Sequence, residues 1–520
     1  MNKKIVVVGG GTAGWISALF AHRFFPESEI TVVESSNIDI IGVGESTTPA
    51  IIDMFDFIGI SVADLVKNCG ATIKNSIKFT NWNGDNKSYY HGFDVYDHNL
   101  HFFAGSKKAV YSDSELNWPQ HKSMLAINEV FNNKNLDDIH FSSVLSKNNK
   151  VPFIFSESNC QAATNPIFNF DRPSMFALHI NARLLAAYLK NIGKSRGLNL
   201  IDSKVVDHQC DEQGNVTSLI LENTRQINCD FIFDCTGFAR IFVDKLYKSK
   251  MKSFKDFLPV KKAIPFFVEN KNITPSYTEA VSMKYGWLWK IPVEGRFGCG
   301  YVFDSDYVTP ENAYEELAVL IGFRPEVPKI ISFEPGYFET PWNKNVLAVG
   351  LSSGFIEPLE ATSIWITTIS LSFFADHISG LATGDVNSIN EYNCNFIEAI
   401  DSILSLVRMH YHCHRADSEF WKEFRLKNSM PERLAKILEI YKYRLPSTLE
   451  KSLYNLFPVE SWFTVAAGNR VFEEKTIQRE FYSYNVEKNI KRTREDFVKY
   501  STEICDSCMK HDDLLEYLRK

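Results

Sequence analysis

The first thirty-four residues limit what this chain can fold into more than any other stretch. Residues 4–8, apolar and β-branched from Ile5 onward, stop at Gly9-Gly10-Gly11-Thr12-Ala13-Gly14. Trp15 to Phe25 then repeat apolar residues at helical period, and a second apolar run, ITVVE, ends at Glu34, twenty residues past Gly14. Strand, glycine turn, helix and strand in that order open a doubly wound dinucleotide-binding unit. In such a unit Gly9 permits the tight turn, Gly11 lets the backbone approach a pyrophosphate, and Gly14 lets the helix pack closely on the strand. Thr12 and Ala13 begin the helix, whose unpaired N–H groups face the phosphates. Glu34 accepts from ribose hydroxyls, and its charge disfavours a 2′-phosphate.

A later stretch, FIFDCTGFAR at 231–240, has the strand-turn form that FAD enzymes of this topology use near the flavin. No second GxGxxG follows for a nicotinamide cofactor. FAD is therefore the expected dinucleotide, received already reduced. Residues 80–150 are rich in Asn, Asp, Ser and Lys and read as long loops or an insertion, whereas SMFALHINARLLAAYLKNIG, 174–193, reads as an amphipathic helix. Alternating strands are expected near 200–233 and again over 260–350, and helices beyond about 390. The expected fold class is α/β: a Rossmann-type FAD-binding core with mixed sheets, residues 1–395, plus a mostly helical C-terminal lobe, 396–520, contributing to the substrate site.

Charge and cysteine usage narrow the partners. With a net charge of −7 and no basic stripe, the chain is not built to neutralise phosphates, so no nucleic acid is expected. No stretch reaches the ~18 apolar residues of a membrane span. The opening MNKKIVVV breaks off at glycines without a cleavage site, so a cytoplasmic protein is expected. Ten cysteines scattered without a framework read as free thiols. His410-Tyr-His-Cys-His414 and the Cys505/Cys508 pair lack the loop-separated ligand pairs of a structural zinc site, and no metal is expected.

Two tryptophans stand out in GWLWKIP, 286–292. In a strand, Trp287 and Trp289 share a face and make a flat indole wall, while Lys290 points the other way. Together with GGGTAGW at 9–15, IGVGESTTP at 41–49, GRFGCGYVF at 295–303, GLSSGFIEPLEATSIW at 350–365 and HYHCHRADSEFW at 410–421, this motif resembles the flavin-dependent halogenases of the tryptophan-halogenase type. The resemblance runs from residue 1 to about 415.

It implies a reaction: reduced FAD (FADH2) and O2 form a hydroperoxide, a halide attacks it, and hypohalous acid passes to a lysine that halogenates an aromatic substrate. The implied catalytic pair is Lys74, in GATIKNSIKF, and Glu360, in EPLEAT. Ser46, Leu351 and Ile364 join the glycine turn and Glu34 in the implied flavin site, and Thr362 and Ser363 are the implied halide site for chloride, bromide or iodide. His91 and Phe93, with Trp287 and Trp289, line the implied substrate side. The implied partners are a separate NAD(P)H-dependent flavin reductase and a small aromatic substrate, with a homodimer left open.

Two departures matter. Relatives commonly carry Ser-Thr-Gly after the glutamate, where this chain has Ala361-Thr362-Ser363. Relatives that take free tryptophan clamp it with a Tyr pair and a Glu ahead of an aromatic pair. Here Tyr454 is single, Ser452 stands about where the Glu is expected, and Leu456-Phe457 replaces the aromatic pair, so another indole, phenol or electron-rich aromatic is expected. A flavin hydroxylase is the competing enzyme, and a non-catalytic flavin-binding redox sensor the competing non-enzyme. Read alone, Lys74 and Lys78, four apart, also fit a solvated face.

Overall fold

In the computed structural model the opening strand, glycine turn and helix fold as Lys4–Val8, a turn through Gly9–Gly11, and Thr12–Phe24. The structure describes residues 2–38, 42, 45–93, 118–156, 159–162, 175–327, 329–426, 429–447 and 450–520. Residues 41, 43 and 44 of the IGVGESTTP motif, and 94–117 of the expected insertion, lie outside these. The chain forms two compact units, each built from three segments: Met1–Ala71, Leu178–Leu258 and Ser332–Ile400 in the first, and Thr72–Ala177, Pro259–Ile331 and Asp401–Lys520 in the second. Among the described residues no helix is long and apolar enough to cross a membrane.

The first unit is organised by a six-stranded sheet in the order Asn199–Asp202, Glu29–Glu34, Lys4–Val8, Phe231–Asp234, Val346–Ala348, Trp342–Asn343. The first five strands run parallel and only the last pair is antiparallel. Register aligns Asp202 with Glu34, Val33 with Val8, and Val8 with Asp234, so the strands end on one line. That carboxyl edge is where an open parallel sheet binds ligands. One face is covered by the three-stranded meander Val205–Cys210, Val216–Leu221, Gln226–Asn228, which buries Val216, Leu219 and Leu221 against Val6, Val8 and Val33. On Phe231, Phe233 and Trp342 lies Phe374 of the Thr362–Asp376 helix, ring centroids 5.1–5.4 Å apart.

The expected helix over 174–193 is instead a strand followed by a helix. Ala177–Ile180 is extended and pairs antiparallel with Glu45–Ser46, and the helix Ala182–Ser195 begins only after Asn181. The Asn181 side chain accepts from the N–H groups of Arg183 and Leu184 and so caps the helix. All four residues of Ala177–Ile180 are buried, and a short run buried on both faces carries no period that separates strand from helix.

The second unit contains a mixed sheet in which Lys262–Glu269, Arg296–Phe303, Gly286–Val293, Tyr277–Met283, Ser76–Thr80 and Ser88–Gly92 are successive neighbours. Among these six strands only Tyr277–Met283 and Ser76–Thr80 pair in parallel. Leu288, Cys299, Tyr301 and Phe303 pack with Leu317 of the Pro310–Ile321 helix on one face. From Glu419 to Arg519 the described chain is helical, matching the expected C-terminal helices.

Candidate active site

The glycine turn is shaped by contact as much as by conformation. Gly9 has φ +118°, and a methyl group on it would meet the Cys235 carbonyl oxygen at 2.1 Å; one on Gly14 would meet the Gly9 carbonyl oxygen at 1.9 Å. Helix Thr12–Phe24 thus rests directly on the turn. Its N-cap, Gly11, has no side-chain hydrogen bond and its first turn holds no acidic residue. The leading N–H groups are left for an anion, which fits a pyrophosphate.

Glu34 ends the neighbouring strand with its carboxylate held by two groups the sequence reading did not assign. The Trp15 indole N–H donates to Glu34 Oε2 at 3.1 Å, and the Lys190 ammonium pairs with Oε1. The carboxylate lies against Gly10, where a methyl group would come within 1.8 Å of Oε2. Each carboxylate oxygen has lone pairs to spare, so a ribose hydroxyl can still donate to it. Trp15 was visible in GGGTAGW; Lys190, on the Ala182–Ser195 helix, carried no signal of this pairing.

Asp234, at the end of the strand Phe231–Asp234, has a role that its place in the sequence does not reveal. It is wholly buried, and its Oδ1 accepts from the Thr236 N–H (3.1 Å) and hydroxyl (2.6 Å). Its Oδ2 accepts from the Phe242 and Val243 N–H groups (3.2 and 3.4 Å). The Ser352 hydroxyl reaches Oδ1 at 3.3 Å, which ties the short turn Gly350–Ser352, with candidate Leu351, to the same strand end. Burial pushes the Asp234 carboxyl above its ordinary range, and these donors offset part of that shift. Candidate Ser46, also buried, pairs with His179.

The implied halide residues open the Thr362–Asp376 helix. Just before it, Glu360 and Ala361 stand at φ +63° and +57°, two successive non-glycine residues in the left-handed region. Neither Ala361 nor any first-turn acid caps the helix; the Thr362 hydroxyl donates to the Glu357 carbonyl at 3.4 Å. The first-turn N–H groups, uncapped by any side chain and set among the buried Ala361, Thr362 and Ile364, suit a small anion. Ser363 is helical, so a side chain where relatives carry glycine adds no backbone strain. The strain sits at Glu360 and Ala361 instead. Replacing Ala361 with glycine is expected to stabilise the protein by about 0.5–1 kcal/mol in chemical denaturation; a loss of stability would mean that the Ala361 methyl group matters more than its backbone.

In the second unit Lys74 ends the strand Thr72–Lys74 with no exposed surface, and it is the only lysine in that condition among the described residues. Its ammonium lies 5.2 Å from the centre of the Phe93 ring. Lys78 differs: it is partly exposed and pairs with Glu279 at 3.3 Å. His91, buried, stands opposite Ile77 in the adjoining strand pair.

Trp287 and Trp289 are both buried on one face, and Lys290 points away to Glu279 at 3.3 Å. They do not make the flat wall expected from the sequence. Their rings are inclined by 59° with centroids 6.2 Å apart. The cause lies in their different anchors. Trp287 donates its N–H to the Tyr411 hydroxyl at 3.1 Å, whereas Trp289 packs its ring against Gly300, whose hydrogen leaves room for it. The Trp289 N–H is buried without a partner among the described residues.

Tyr411 belongs to the His410–His414 stretch, and its neighbours are also occupied with packing. His410 bonds the Tyr89 hydroxyl at 3.0 Å and stacks on Phe79. Burial pushes His412 down to about 4, helped by Arg408, and pushes the Cys413 thiol up to about 11. Cys505 and Cys508 are buried thiols. Among the described residues no three His, Cys, Asp or Glu side chains cluster as metal ligands.

A parallel-sheet edge with a glycine turn and an uncapped helix, in a chain that also buries a lysine, has the form of a dinucleotide-dependent enzyme. A sequence model of the family described as tryptophan halogenase matches residues 4–480. The chain is 30% identical over 463 residues to 7-chloro-L-tryptophan 6-halogenase KtzR of Kutzneria sp. (strain 744), covering 85% of this chain and 86% of that protein. It is 29% identical over 470 residues to tryptophan 6-halogenase SttH of Streptomyces toxytricini, covering 88% and 86%. Its structure superposes on that of Tar14, a tryptophan C-6 flavin-dependent halogenase (chlorinase) from taromycin biosynthesis, with a TM-score of 0.87, 26% identity and 100% of both chains covered. The chain belongs to the tryptophan halogenase family, enzymes that use FAD and a halide.

Proposed function

We propose that this enzyme halogenates an electron-rich indole or phenol other than free tryptophan, through hypohalous acid handed to Lys74. The observation that carries this reading is the complete burial of Lys74. An ammonium taken out of water is expensive to keep, and a chain retains one where its charge and N–H groups are used. Reduced FAD, supplied by a separate NAD(P)H-dependent reductase, would give two electrons to O2, which with two more from the halide and a proton yields hypohalous acid and water. The Thr362 and Ser363 N–H groups hold the halide. Lys74 donates a hydrogen bond to the oxidant's oxygen and leaves the halogen more electrophilic. Glu360 takes the proton that the ring releases, His91 and Phe93 flank the ring, and Trp287 and Trp289 keep it from the flavin.

The choice against free tryptophan rests on Tyr454. Its ring stacks on Trp462 at 5.4 Å, and its hydroxyl is within 3.2 Å of Glu450 and 3.3 Å of Tyr441. That tyrosine is a packing residue, tied down where relatives use a tyrosine pair to clamp the amino acid. The heavier halides are taken as favoured because they are more easily oxidised, with Ser363 altering the halide turn. Incubation with FAD, a flavin reductase, NADH and competing chloride and bromide tests both points, with a panel of indoles, phenols and tryptophan read by mass spectrometry. Brominated product on a ring other than that of free tryptophan is expected. Exclusive chlorination of tryptophan sinks the substrate and halide choices, and hydroxylated product alone restores the hydroxylase alternative.

A further inference from the structure

We propose that His511, on the C-terminal helix His511–Arg519, is a positioning residue for Lys74, fixing the strand from which the lysine projects. The proposal rests on the reading of Lys74 given above. His511 lies outside the residues, 4–480, that the family model matches.

The strand Thr72–Lys74 is three residues long, too short to hold its own geometry. Each residue around the lysine is tied instead to a separate partner. The Thr72 hydroxyl donates to the Pro292 carbonyl at 2.6 Å. The Asn75 N–H donates to the Ser276 carbonyl at 2.8 Å, and its side-chain amide to the Lys150 carbonyl at 2.7 Å. Between them, the Ile73 N–H donates to His511 Nε2 at 2.9 Å, across 438 residues of sequence. Ile73 N lies in the peptide unit one residue before Lys74, so its direction helps set where the ammonium lands.

The imidazole is itself fixed. His511 has no exposed surface, and its Nδ1–H donates to the Thr274 carbonyl at 2.9 Å. One ring nitrogen donating and the other accepting requires the neutral form. Burial enforces that form, pushing His511 down to about 4 despite the neighbouring Asp512. The helix is docked around it: the Asp512 carboxylate accepts from the Thr274 N–H at 3.3 Å, and His511 N–H donates to the Asn149 carbonyl at 3.1 Å. Just before the helix, Met509 exchanges backbone hydrogen bonds with Val151 and Phe153, at 3.1 and 2.8 Å. An ammonium that must meet a small oxidant loses much of its effect when displaced by about 1 Å.

The test compares His511→Leu, which removes the acceptor, with His511→Gln, whose Oε1 can stand where Nε2 stood. The readout is halogenated product formed per NADH consumed in the reductase-coupled assay with FAD and bromide. Thermal stability and FAD affinity are measured alongside. His511→Leu is expected to lower that ratio about ten- to a hundredfold with FAD affinity unchanged, and His511→Gln to stay within about threefold of the parent. A merely structural histidine would shift melting temperature and leave the ratio of the folded protein intact. Parental coupling in His511→Leu overturns the proposal, as does a His511→Gln variant no better than His511→Leu. If the leucine variant does not fold, His511→Asn, whose acceptor stops one atom short, takes its place with the same expectation. Lys74→Met run in parallel separates the two ideas. If it keeps its coupling, the role of Lys74 itself is wrong; if it loses coupling while His511→Leu keeps it, only the present proposal is.

Discussion

Lys74→Met is expected to lose halogenation by at least about a hundredfold while NADH-driven flavin oxidation continues at the parental rate. Methionine nearly matches the length and volume of the lysine stem, so the buried strand Thr72–Lys74 keeps its packing and the change is chemical. Only the positive charge and its N–H groups are removed. The oxidant still forms, escapes, and can be trapped in solution by an added electron-rich aromatic. Mass spectrometry of the enzyme's own product, alongside that trap, reads both halves. Unchanged halogenation with Lys74→Met would remove the lysine from the reaction, and loss of flavin turnover as well would mean that Lys74 serves the fold.

Asp234→Asn is expected to act on the other unit, with the largest effect on stability. The substitution keeps the shape but puts an amide N–H toward donors that need an acceptor: the Thr236 N–H and hydroxyl on one side, the Phe242 and Val243 N–H groups on the other. One set must lose its partner in a wholly buried place, at about 3 kcal/mol or more. FAD affinity should fall with it, because the same carboxylate fixes Thr236 and the Gly350–Ser352 turn at the sheet's carboxyl edge. Denaturant unfolding and FAD titration check the two effects. Parental stability in both would show that water or a rearranged turn satisfies these donors.

Much of the dinucleotide half was legible in the sequence because its determinants are local. Gly9, Gly11, Gly14 and Glu34 sit at fixed offsets along one strand–turn–helix–strand unit, and their spacing is their geometry. Asp234 was in plain view before its glycine turn, yet its role depends on Phe242, Val243 and Ser352, which no periodicity links to it. The Ala177–Ile180 strand was misread as helix because four buried residues in a row have no polar side from which to read a period. Lys74 was reached only through a resemblance: beside Lys78 it looks like half of a solvated pair, and its burial is decided by strands hundreds of residues away. The tilt between Trp287 and Trp289 was illegible for the same reason, since Tyr411 and Gly300 set it from other elements. His511 lay furthest from view, on a helix with no motif of its own.

The threading of the two units has a consequence for how this protein comes into being. Neither is finished by one continuous stretch: the first needs residues up to Ile400 and the second up to Lys520. A ribosome that has delivered the glycine turn and its strands has delivered only part of the sheet they belong to, because Val346–Ala348 arrives some three hundred residues later. The nascent chain must therefore hold exposed apolar strands for most of its synthesis, the condition in which chaperones are needed. The same threading means that no single cut yields either unit intact, so a fragment bearing only the first unit cannot be prepared by simple truncation.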